Sequence, residues 1–142
     1  MTSSKDDWIE MDLGATAAQF KLLIVDDSVF VRKQVIEILK NRSVVVLEAE
    51  DGLSGLDILT KNPDIKLVLC DVNMPKMDGF ALLERLAQGQ SDDKPRIPVI
   101  MLTNENKLDK VIEGKKFGAT AWITKPPLPQ DIIALVEKYG AK

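Results

Sequence analysis

Three aspartates end short apolar runs in this chain, and their placement suits metal and phosphate chemistry. Asp26 and Asp27 follow residues 22–25, and Asp71 follows residues 67–70. If both runs are neighbouring strands of a parallel sheet, the three carboxylates meet at its carboxyl edge. Like charges that close repel, so such a cluster is tolerable only if a divalent cation occupies it or the carboxylates share protons. The spacing therefore predicts a site for a hard metal ion and for phosphate.

Two more polar side chains follow later apolar runs, namely Thr103 and Lys125. Their run ends predict the same edge of the sheet, where a hydroxyl and an ammonium would join the carboxylates. Phosphoryl transfer needs a nucleophile in line, a cation on the phosphoryl oxygens and donors for the oxygens that remain. We therefore interpret Asp71 as the nucleophile, Asp26 and Asp27 as the metal holders, Thr103 as the hydroxyl donor and Lys125 as a point charge.

The hydrophobic pattern indicates the elements that would position these residues. Five short apolar runs are typical of strands covered on both faces; they are residues 22–25, 44–47, 65–70, 99–102 and 121–124. Amphipathic stretches separate them, with inner faces that we assign to Val31, Val35, Ile38 and Leu39, to Leu108, Val111 and Ile112, and to Ile132, Leu135, Val136 and Tyr139. The alternation predicts an α/β fold with a doubly wound, five-stranded parallel sheet and helices on both faces.

Capping residues stand where this fold requires helices to begin. Ser28, Asp51 and Asp78 can cap the first, second and third helices, and Gly118 can close the fourth. Residues 127–129 lead into the fifth helix, and the polar stretch 89–98 is predicted to be a surface loop.

Composition bounds the class of protein. The 142 residues suffice for one domain with a real core. The net charge of −3 arises within the first twelve residues, and the remainder has 18 basic and 18 acidic residues, so no nucleic-acid footprint is expected. The chain has no histidine, which excludes His-dependent catalysis and His-ligated metals, and one cysteine, which excludes an internal disulfide. No signal peptide or membrane span is evident, so a cytoplasmic protein is expected.

The first twenty residues stand outside the repeating pattern. We predict that residues 1–20 are an extension and residues 21–142 the domain. Ser4 and Asp7 could form a capping box for a short helix that carries Trp8, but a disordered acidic tail fits equally well.

Four motifs at the strand ends resemble the receiver domains of two-component response regulators. They are Asp26-Asp27-Ser28, Cys70-Asp71-Val72-Asn73-Met74-Pro75-Lys76-Met77-Asp78-Gly79, Met101-Leu102-Thr103 and Lys125-Pro126. The resemblance covers residues 21–140. It implies a flavodoxin-like fold with strand order 2-1-3-4-5, which is the fold of chemotaxis receivers. The stretch 115–126, with an aromatic residue three before Lys125, resembles the stand-alone chemotaxis type. No effector domain is expected after the fifth helix.

The resemblance implies a mechanism and a set of site residues. Asp71 would accept a phosphoryl group from the phosphohistidine of a histidine kinase. Mg²⁺ would be bound by Asp27, Asp71 and the main-chain carbonyl of Asn73, with Asp26 holding one of its waters. Trp122 would be the switch residue. The chain would then be no separate enzyme but a phospho-accepting signalling protein that catalyses its own Mg²⁺-dependent phosphoryl transfer and hydrolysis.

The partners implied are a chemotaxis-type histidine kinase and a flagellar motor switch protein or a phosphatase. Neither nucleic acid nor a membrane is implied, and a monomer is expected. Three positions qualify the match: Asn104 stands where alanine or threonine is usual, Trp122 where tyrosine or phenylalanine is commoner, and loop 89–98 is longer than typical. Asn73 and Glu105 would border the path of an attacking water, so we expect a short-lived acyl phosphate.

Other functions fit the same residues. The chain could be a phosphorelay intermediate or phosphate sink without a dedicated binding output. A Mg²⁺-dependent phosphatase of the haloacid dehalogenase kind also uses an aspartate nucleophile, but that chemistry wants a second aspartate where Asn73 stands. Simpler roles are also open: Asp26 and Asp27 as helix caps, Thr103 as an ordinary strand residue, and Trp122 as packing.

Overall fold

A computed structural model describes residues 19–92, 94–104 and 108–141 of the chain. The predicted amino-terminal helix, with Ser4, Asp7 and Trp8, lies outside the described residues, as does Glu105. None of the described helices is long and apolar enough to cross a membrane.

Five parallel strands form one sheet in the order β2-β1-β3-β4-β5. They are β1 (Phe20–Val25), β2 (Val44–Ala49), β3 (Ile65–Asp71), β4 (Val99–Thr103) and β5 (Ala121–Thr124). The predicted architecture and strand order are thus confirmed. Four of the strands extend one or two residues beyond their apolar runs because the backbone ladder continues regardless of the side chain, as where Ile24 pairs with Glu48.

Five helices connect the strands: α1 (Val29–Leu39), α2 (Gly52–Lys61), α3 (Gly79–Ala87), α4 (Leu108–Lys116) and α5 (Pro129–Lys138). The three predicted caps are confirmed. The side chains of Ser28, Asp51 and Asp78 accept hydrogen bonds from backbone amides three residues on, at 3.3, 2.8 and 2.8 Å. Each bond satisfies one of the amides that have no partner inside the first helical turn.

Apolar side chains cover both faces of the sheet, as the continuous runs predict. Leu22 and Ile24 of β1 point to a core shared with α1 and α5, and both are fully buried. Leu23 and Val25 point to the opposite core, which contains Leu82 and Leu83 of α3. Period-two alternation along one strand therefore supplies both layers.

Helix α4 differs from its predicted packing. Ile112 was expected on the inner face, but its side chain is 57% exposed. Among residues 111–116 of this helix, whose burial the structure describes, the buried position is Gly114, where an added Cβ would collide with the ring of Trp122 and lie 3.3 Å from Phe80. The bulky ring of β5 thus occupies the space that an inward side chain of α4 would need, so the helix presents a glycine there.

The loop after β3 is hydrogen-bonded to the first residues of two helices. The amide of Gly79 donates to the carbonyl of Val72 at 2.9 Å, and the amide of Gly52 donates to the carbonyl of Met77 at 3.0 Å. A Cβ on Gly52 would lie only 2.5 Å from that same Met77 oxygen, so this approach requires glycine. These two hydrogen bonds hold the residues that follow Asp71 against the starts of α2 and α3.

The crevice between β1 and β3 is where the winding of the sheet reverses. Helix α1, which follows β1, and helix α3, which follows β3, lie on opposite faces of the sheet, so the connections from these neighbouring strands diverge at their carboxyl ends. The diverging connections leave a crevice outside the carboxyl ends of the two strands, and ligands of open α/β sheets bind in such a crevice. Asp26, Asp27 and Asp71 all lie at this crevice.

Replacing Asp51 tests the cap of α2 and its charge. Asp51 is 2% exposed, and the hydrogen bond from the Ser54 amide holds the pKa of its carboxyl below the ordinary value of 3.8, assisted by Lys76. Asp51→Ala should lower the free energy of unfolding at pH 7 by about 1 kcal/mol. The contribution of the carboxylate is present above pH 3.8 and is lost as the pH falls through the lowered folded-state pKa, so the deficit should shrink toward pH 3.

Urea denaturation of both proteins at pH 7 and pH 3 measures this difference. Asp78→Ala, which removes a cap bond of the same 2.8 Å length from an exposed residue, is the matched control for the loss at pH 7. An Asp51→Ala deficit that is equal at both pH values would contradict the assignment.

Candidate functional site

Three carboxylates meet at the crevice, as the strand ends predicted. One carboxylate oxygen from each of Asp26, Asp27 and Asp71 lies within 4.8 Å of the others. Asp26 and Asp71 are buried, whereas Asp27 is exposed. The cluster therefore has a solvent-facing side at Asp27 and a protein-enclosed side at Asp26.

Lys125 bridges the two buried carboxylates. Its Nζ lies 2.8 Å from Oδ2 of Asp26 and 3.1 Å from Oδ1 of Asp71, and its side chain is only 10% exposed. Its backbone amide donates to the carbonyl of Thr103 at 2.7 Å, and the peptide bond to Pro126 is cis. The end of β5 is thus fixed to the end of β4, and the ammonium reaches back across the sheet to β1 and β3.

Burial and charge oppose each other at these residues. Desolvation raises the pKa of the Asp71 carboxyl, and the neighbouring Asp26 charge raises it further, against the lowering effect of Lys125. Burial alone would lower the pKa of Lys125, but its hydrogen bonds and charge interactions with Asp26 and Asp71 outweigh burial and raise it. Lys125 is therefore held as a cation, and one cation does not fully compensate the acidic cluster.

Asp26 is engaged by the protein on both oxygens. Oδ1 accepts from the Ser28 amide at 2.9 Å, and Oδ2 contacts Lys125. The Oδ2–Nζ distance of 2.8 Å marks a close ion pair. By contrast, the Asp27 side chain has no hydrogen bond or ion pair within the described residues. Asp27 is consequently the carboxylate most available to a ligand.

The chemistry of the donor set fits Mg²⁺. The three carboxylates supply only oxygen ligands, which hard divalent cations prefer. Asn73 is exposed and lines the same cavity of about 460 Å³ as Asp27 and Asp71, so this residue lies on the accessible side of the cluster. A larger groove, of about 570 Å³, runs between β5 and α5, but its lining includes none of the three aspartates. We therefore locate the chemistry in the smaller cavity.

Thr103 lies at the end of β4 and is 3% exposed. The residue from this strand end that lines the cavity is its exposed neighbour Asn104. The structure thus brings Thr103 to the predicted edge, with its carbonyl holding Lys125, while its role as hydroxyl donor stays a prediction.

Trp122 lies on β5 with its ring turned toward α4. Its ring centroid is 6.2 Å from that of Phe80, and the ring packs against Gly114. Its indole Nε1 is buried and has no hydrogen-bond partner in the described part of the chain. A buried indole donor without a partner is unusual, since such groups normally find an acceptor.

Cys70 adjoins Asp71 but contributes no reactive thiol. Its side chain is fully buried, and burial together with the Asp71 and Asp26 charges raises the pKa of the thiol. Its Sγ donates to the Asp71 carbonyl at 3.2 Å. Cys70 therefore serves as a small buried hydrophobic residue of the core.

Sequence reasoning missed Arg32. Its Nη1 donates to the main-chain carbonyl of Asp26 at 2.7 Å, and its Nε donates to Oε1 of Glu48 at 3.0 Å. Helical spacing marks Arg32 only as a polar neighbour of the buried Val31 and Val35. The one available signal was that Glu48 interrupts an otherwise apolar β2.

Comparison with known proteins agrees with this geometry. The family model for the response regulator receiver domain matches residues 22–137. The chain is 40% identical over 116 residues to the "Chemotaxis protein CheY homolog" of Campylobacter jejuni, covering 78% of this chain and 84% of that protein. It is 37% identical over 120 residues to the "Sporulation initiation phosphotransferase F" of Bacillus subtilis, covering 84% and 92%.

A solved structure shares the fold as well. It is the CheX-CheY-BeF3-Mg²⁺ complex of Borrelia burgdorferi, with a TM-score of 0.74, 30% sequence identity, and coverage of 84% of this chain and 87% of that one. With a family match over most of its length and curated relatives above 30% identity, the chain belongs to the response regulator receiver domain family of two-component signalling.

Proposed function

We propose that the chain receives a phosphoryl group on Asp71 from the phosphohistidine of a histidine kinase and that this modification switches the binding of a partner protein. The observation that carries the proposal is the contact of Lys125 Nζ with both Asp26 and Asp71 inside an acidic cluster that opens to solvent at Asp27. Because histidine phosphotransfer of this kind takes place in the cytoplasm, the proposal also locates the chain there.

The transfer itself requires little covalent machinery. A carboxylate oxygen of Asp71 attacks the phosphorus, the bond from phosphorus to the donor imidazole nitrogen breaks, and that nitrogen keeps the electron pair. Lys125, whose raised pKa keeps it protonated at neutral pH, offers its charge to the phosphoryl oxygens. We assign the hydroxyl of Thr103 to the same oxygens as a donor. In hydrolysis, a water oxygen attacks the phosphorus, the bond from phosphorus to the Asp71 oxygen breaks, and inorganic phosphate and the Asp71 carboxylate are released.

We propose Mg²⁺ as the cofactor, held by Asp27, Asp71 and the main-chain carbonyl of Asn73, with Asp26 behind them. When bound, the ion neutralises carboxylate charge and presents a cation to the phosphoryl oxygens. The raised pKa of the Asp71 carboxyl supports this need, because it reflects the cost of holding that carboxylate ionised in a buried place and beside Asp26. Asp26 is completely buried and occupied on both oxygens, which suits an indirect role.

A switch in partner binding requires that the site be connected to a surface. The backbone amide of Lys125 donates to the carbonyl of Thr103. Trp122, which precedes Lys125 by three residues on the same strand end, packs on Gly114 of α4. Because the Trp122 Nε1 lacks a hydrogen-bond partner among the described residues, a rotated ring that reaches an acceptor would be a competitive alternative. We assign Trp122 as the residue that couples phosphorylation to the face formed by α4, β5 and α5.

One finding favours a second candidate function, a phosphorelay intermediate. Similarity to the sporulation phosphotransferase of Bacillus subtilis extends over 84% of this chain, more than the 78% matched by the chemotaxis relative. Affinity capture with and without beryllofluoride separates the two functions. A partner other than a histidine protein, bound only with beryllofluoride, supports the switch, whereas capture of histidine proteins alone supports the relay.

Asp71→Asn should abolish phosphorylation by acetyl phosphate in the presence of Mg²⁺, because the amide is not a nucleophile toward phosphorus. Intact-protein mass spectrometry measures the modification. Asp78→Asn is the matched control, since asparagine caps α3 as well as aspartate does, and this variant should be modified as the wild type is. Undiminished modification of Asp71→Asn would place the acceptor elsewhere.

Phe30→Ser should separate docking of a kinase from the chemistry. Phe30 is 71% exposed, lines the cavity that contains Asp71, and also lines a groove beside Pro127 and Pro129. Loss of a central aromatic contact should slow transfer from a phosphorylated histidine kinase by roughly tenfold or more. Modification by acetyl phosphate, which needs no protein contact, should be unchanged.

Ile112→Ser is the control for that experiment, because it removes a 57% exposed apolar side chain from α4. Phosphotransfer from the kinase to Ile112→Ser should proceed at the wild-type rate. A Phe30→Ser variant that is slowed equally with kinase and acetyl phosphate would mean that Phe30 shapes the site and not a docking surface.

Beryllofluoride with Mg²⁺ should change the fluorescence of Trp122 in a Trp8→Phe background, which leaves Trp122 as the only tryptophan. Movement of the ring away from Gly114 alters its surroundings, so both emission and iodide quenching should change together with partner binding. The same background with Asp71→Asn should show no change. Constant fluorescence at saturating beryllofluoride, with partner binding still increased, would make Trp122 core packing only.

A further inference from the structure

Arg32 connects the acidic cluster to β2. This side chain, 13% exposed, donates from Nη1 to the carbonyl oxygen of Asp26 at 2.7 Å and from Nε to Oε1 of Glu48 at 3.0 Å. Glu48 itself lies on β2, paired in register with Ile24 of β1. One guanidinium therefore spans from the first helix to the turn that carries the aspartates and to the neighbouring strand.

The Asp26 carbonyl belongs to the peptide unit that leads into Asp27. The preceding amide, that of Asp26, donates to the Ala49 carbonyl at 3.0 Å and continues the pairing with β2. The Arg32 bond then fixes the peptide unit on the other side of the Asp26 Cα. Both peptide units that flank Asp26 are thus held by protein partners.

Asp27 has no comparable restraint of its own. Its carboxylate is exposed and makes no hydrogen bond or ion pair with any residue that the structure describes. Its direction therefore depends on the backbone before it and on the helix that begins at Val29. Removal of the restraint on the Asp26 carbonyl frees the rotation that aims the Asp27 side chain.

We propose that Arg32 is a positioning residue for Mg²⁺: it holds the Asp26–Asp27 peptide against β2 and so aims the Asp27 carboxylate into the cluster. The inference rests on the proposed function only for the use of the ion, since the contacts of Arg32 stand by themselves. Its charge is compensated by Glu48, so its effect comes from geometry and not from a bare positive potential.

Arginine suits this role better than lysine. The guanidinium presents several N–H donors in a rigid plane, which lets two of them engage a carbonyl and a carboxylate together. A lysine ammonium at the end of a flexible stem would satisfy one partner at the expense of the other. Lys33 illustrates the contrast, because within the described part of the chain its Nζ pairs with Glu48 alone, at 3.7 Å, and its side chain is 63% exposed.

The test compares Arg32→Ala and Arg32→Lys with Lys33→Ala as the matched control, which also removes a cation beside Glu48. Calorimetry with Mg²⁺ alone measures affinity. Arg32→Ala should weaken Mg²⁺ binding by roughly tenfold, the effect usual for groups that orient metal ligands, and Arg32→Lys should recover only part of it. Lys33→Ala should bind Mg²⁺ as the wild type does.

Hydrogen exchange in EDTA gives a readout without metal. The Ser28 amide, which donates to Asp26 Oδ1, should exchange faster in Arg32→Ala than in the wild type, while amides in the middle of β3 should be unchanged. Uniformly faster exchange through β3 would indicate that Arg32→Ala is destabilised as a whole. In that case the Mg²⁺ affinity of Arg32→Lys, which keeps the charge and most of the buried stem, is compared with that of the wild type.

Phosphorylation by acetyl phosphate separates this inference from the proposed function. In Arg32→Ala, the Mg²⁺ concentration for half-maximal rate should rise about tenfold, while the rate at saturating Mg²⁺ stays within about twofold of wild type. Wild-type Mg²⁺ affinity in a folded Arg32→Ala would overturn the positioning role. Absence of any phosphorylation in the wild-type protein would instead refute the proposed function and leave the affinity comparison intact.

Discussion

Electrostatic repulsion among three carboxylates is the constraint on which the rest of this molecule depends. Carboxylate oxygens of Asp26, Asp27 and Asp71 lie within 4.8 Å of one another, and two of these residues are buried. A folded chain gains nothing in stability from such an arrangement. Its persistence requires compensation by charge from one side and rigid backbone from the other, and both are visible in the contacts around the cluster.

The compensation by charge comes from Lys125, and its geometry shows why β5 matters to a site made by β1 and β3. The Lys125 ammonium comes from a strand that lies two positions from β3 and three positions from β1, so the end of β5 has to be held in place. The bond from the Lys125 amide to the Thr103 carbonyl accomplishes this. In the switch proposed above, a change at Asp71 that attracts Lys125 or Thr103 would be transmitted to β5, where Trp122 packs against α4.

The rigid backbone comes from bonds that are remote in sequence. Arg32 and Glu48 restrain the turn after β1, while Gly52 and Gly79 receive the loop after β3 in spaces too small for a side chain. Close packing of this kind has few alternatives, because neither loop can move without breaking a hydrogen bond or a steric fit. The site can thus hold like charges near each other.

The fold and the edge of the sheet that holds the site could be predicted from the sequence, because both follow from local patterns. The short, nearly continuous apolar runs and the caps Ser28, Asp51 and Asp78 are local patterns, so they predicted the strands, the helix starts and the edge where polar residues meet. The carboxyl ends of parallel strands all lie at the same edge of a sheet. The proximity of Asp71 and Lys125 could therefore be predicted without coordinates.

Tertiary structure alone decided the features that join residues with no local relationship. Arg32 reaches Glu48 across sixteen positions, and Gly114 is required by a ring on another element, so no periodicity marks either one. The inward face of α4 was mispredicted at Ile112 for the same reason, because a helix pattern records hydrophobicity but not the volume that Trp122 already occupies. Local chemistry selects which elements form, whereas excluded volume and hydrogen-bond reach between elements select how a site is held.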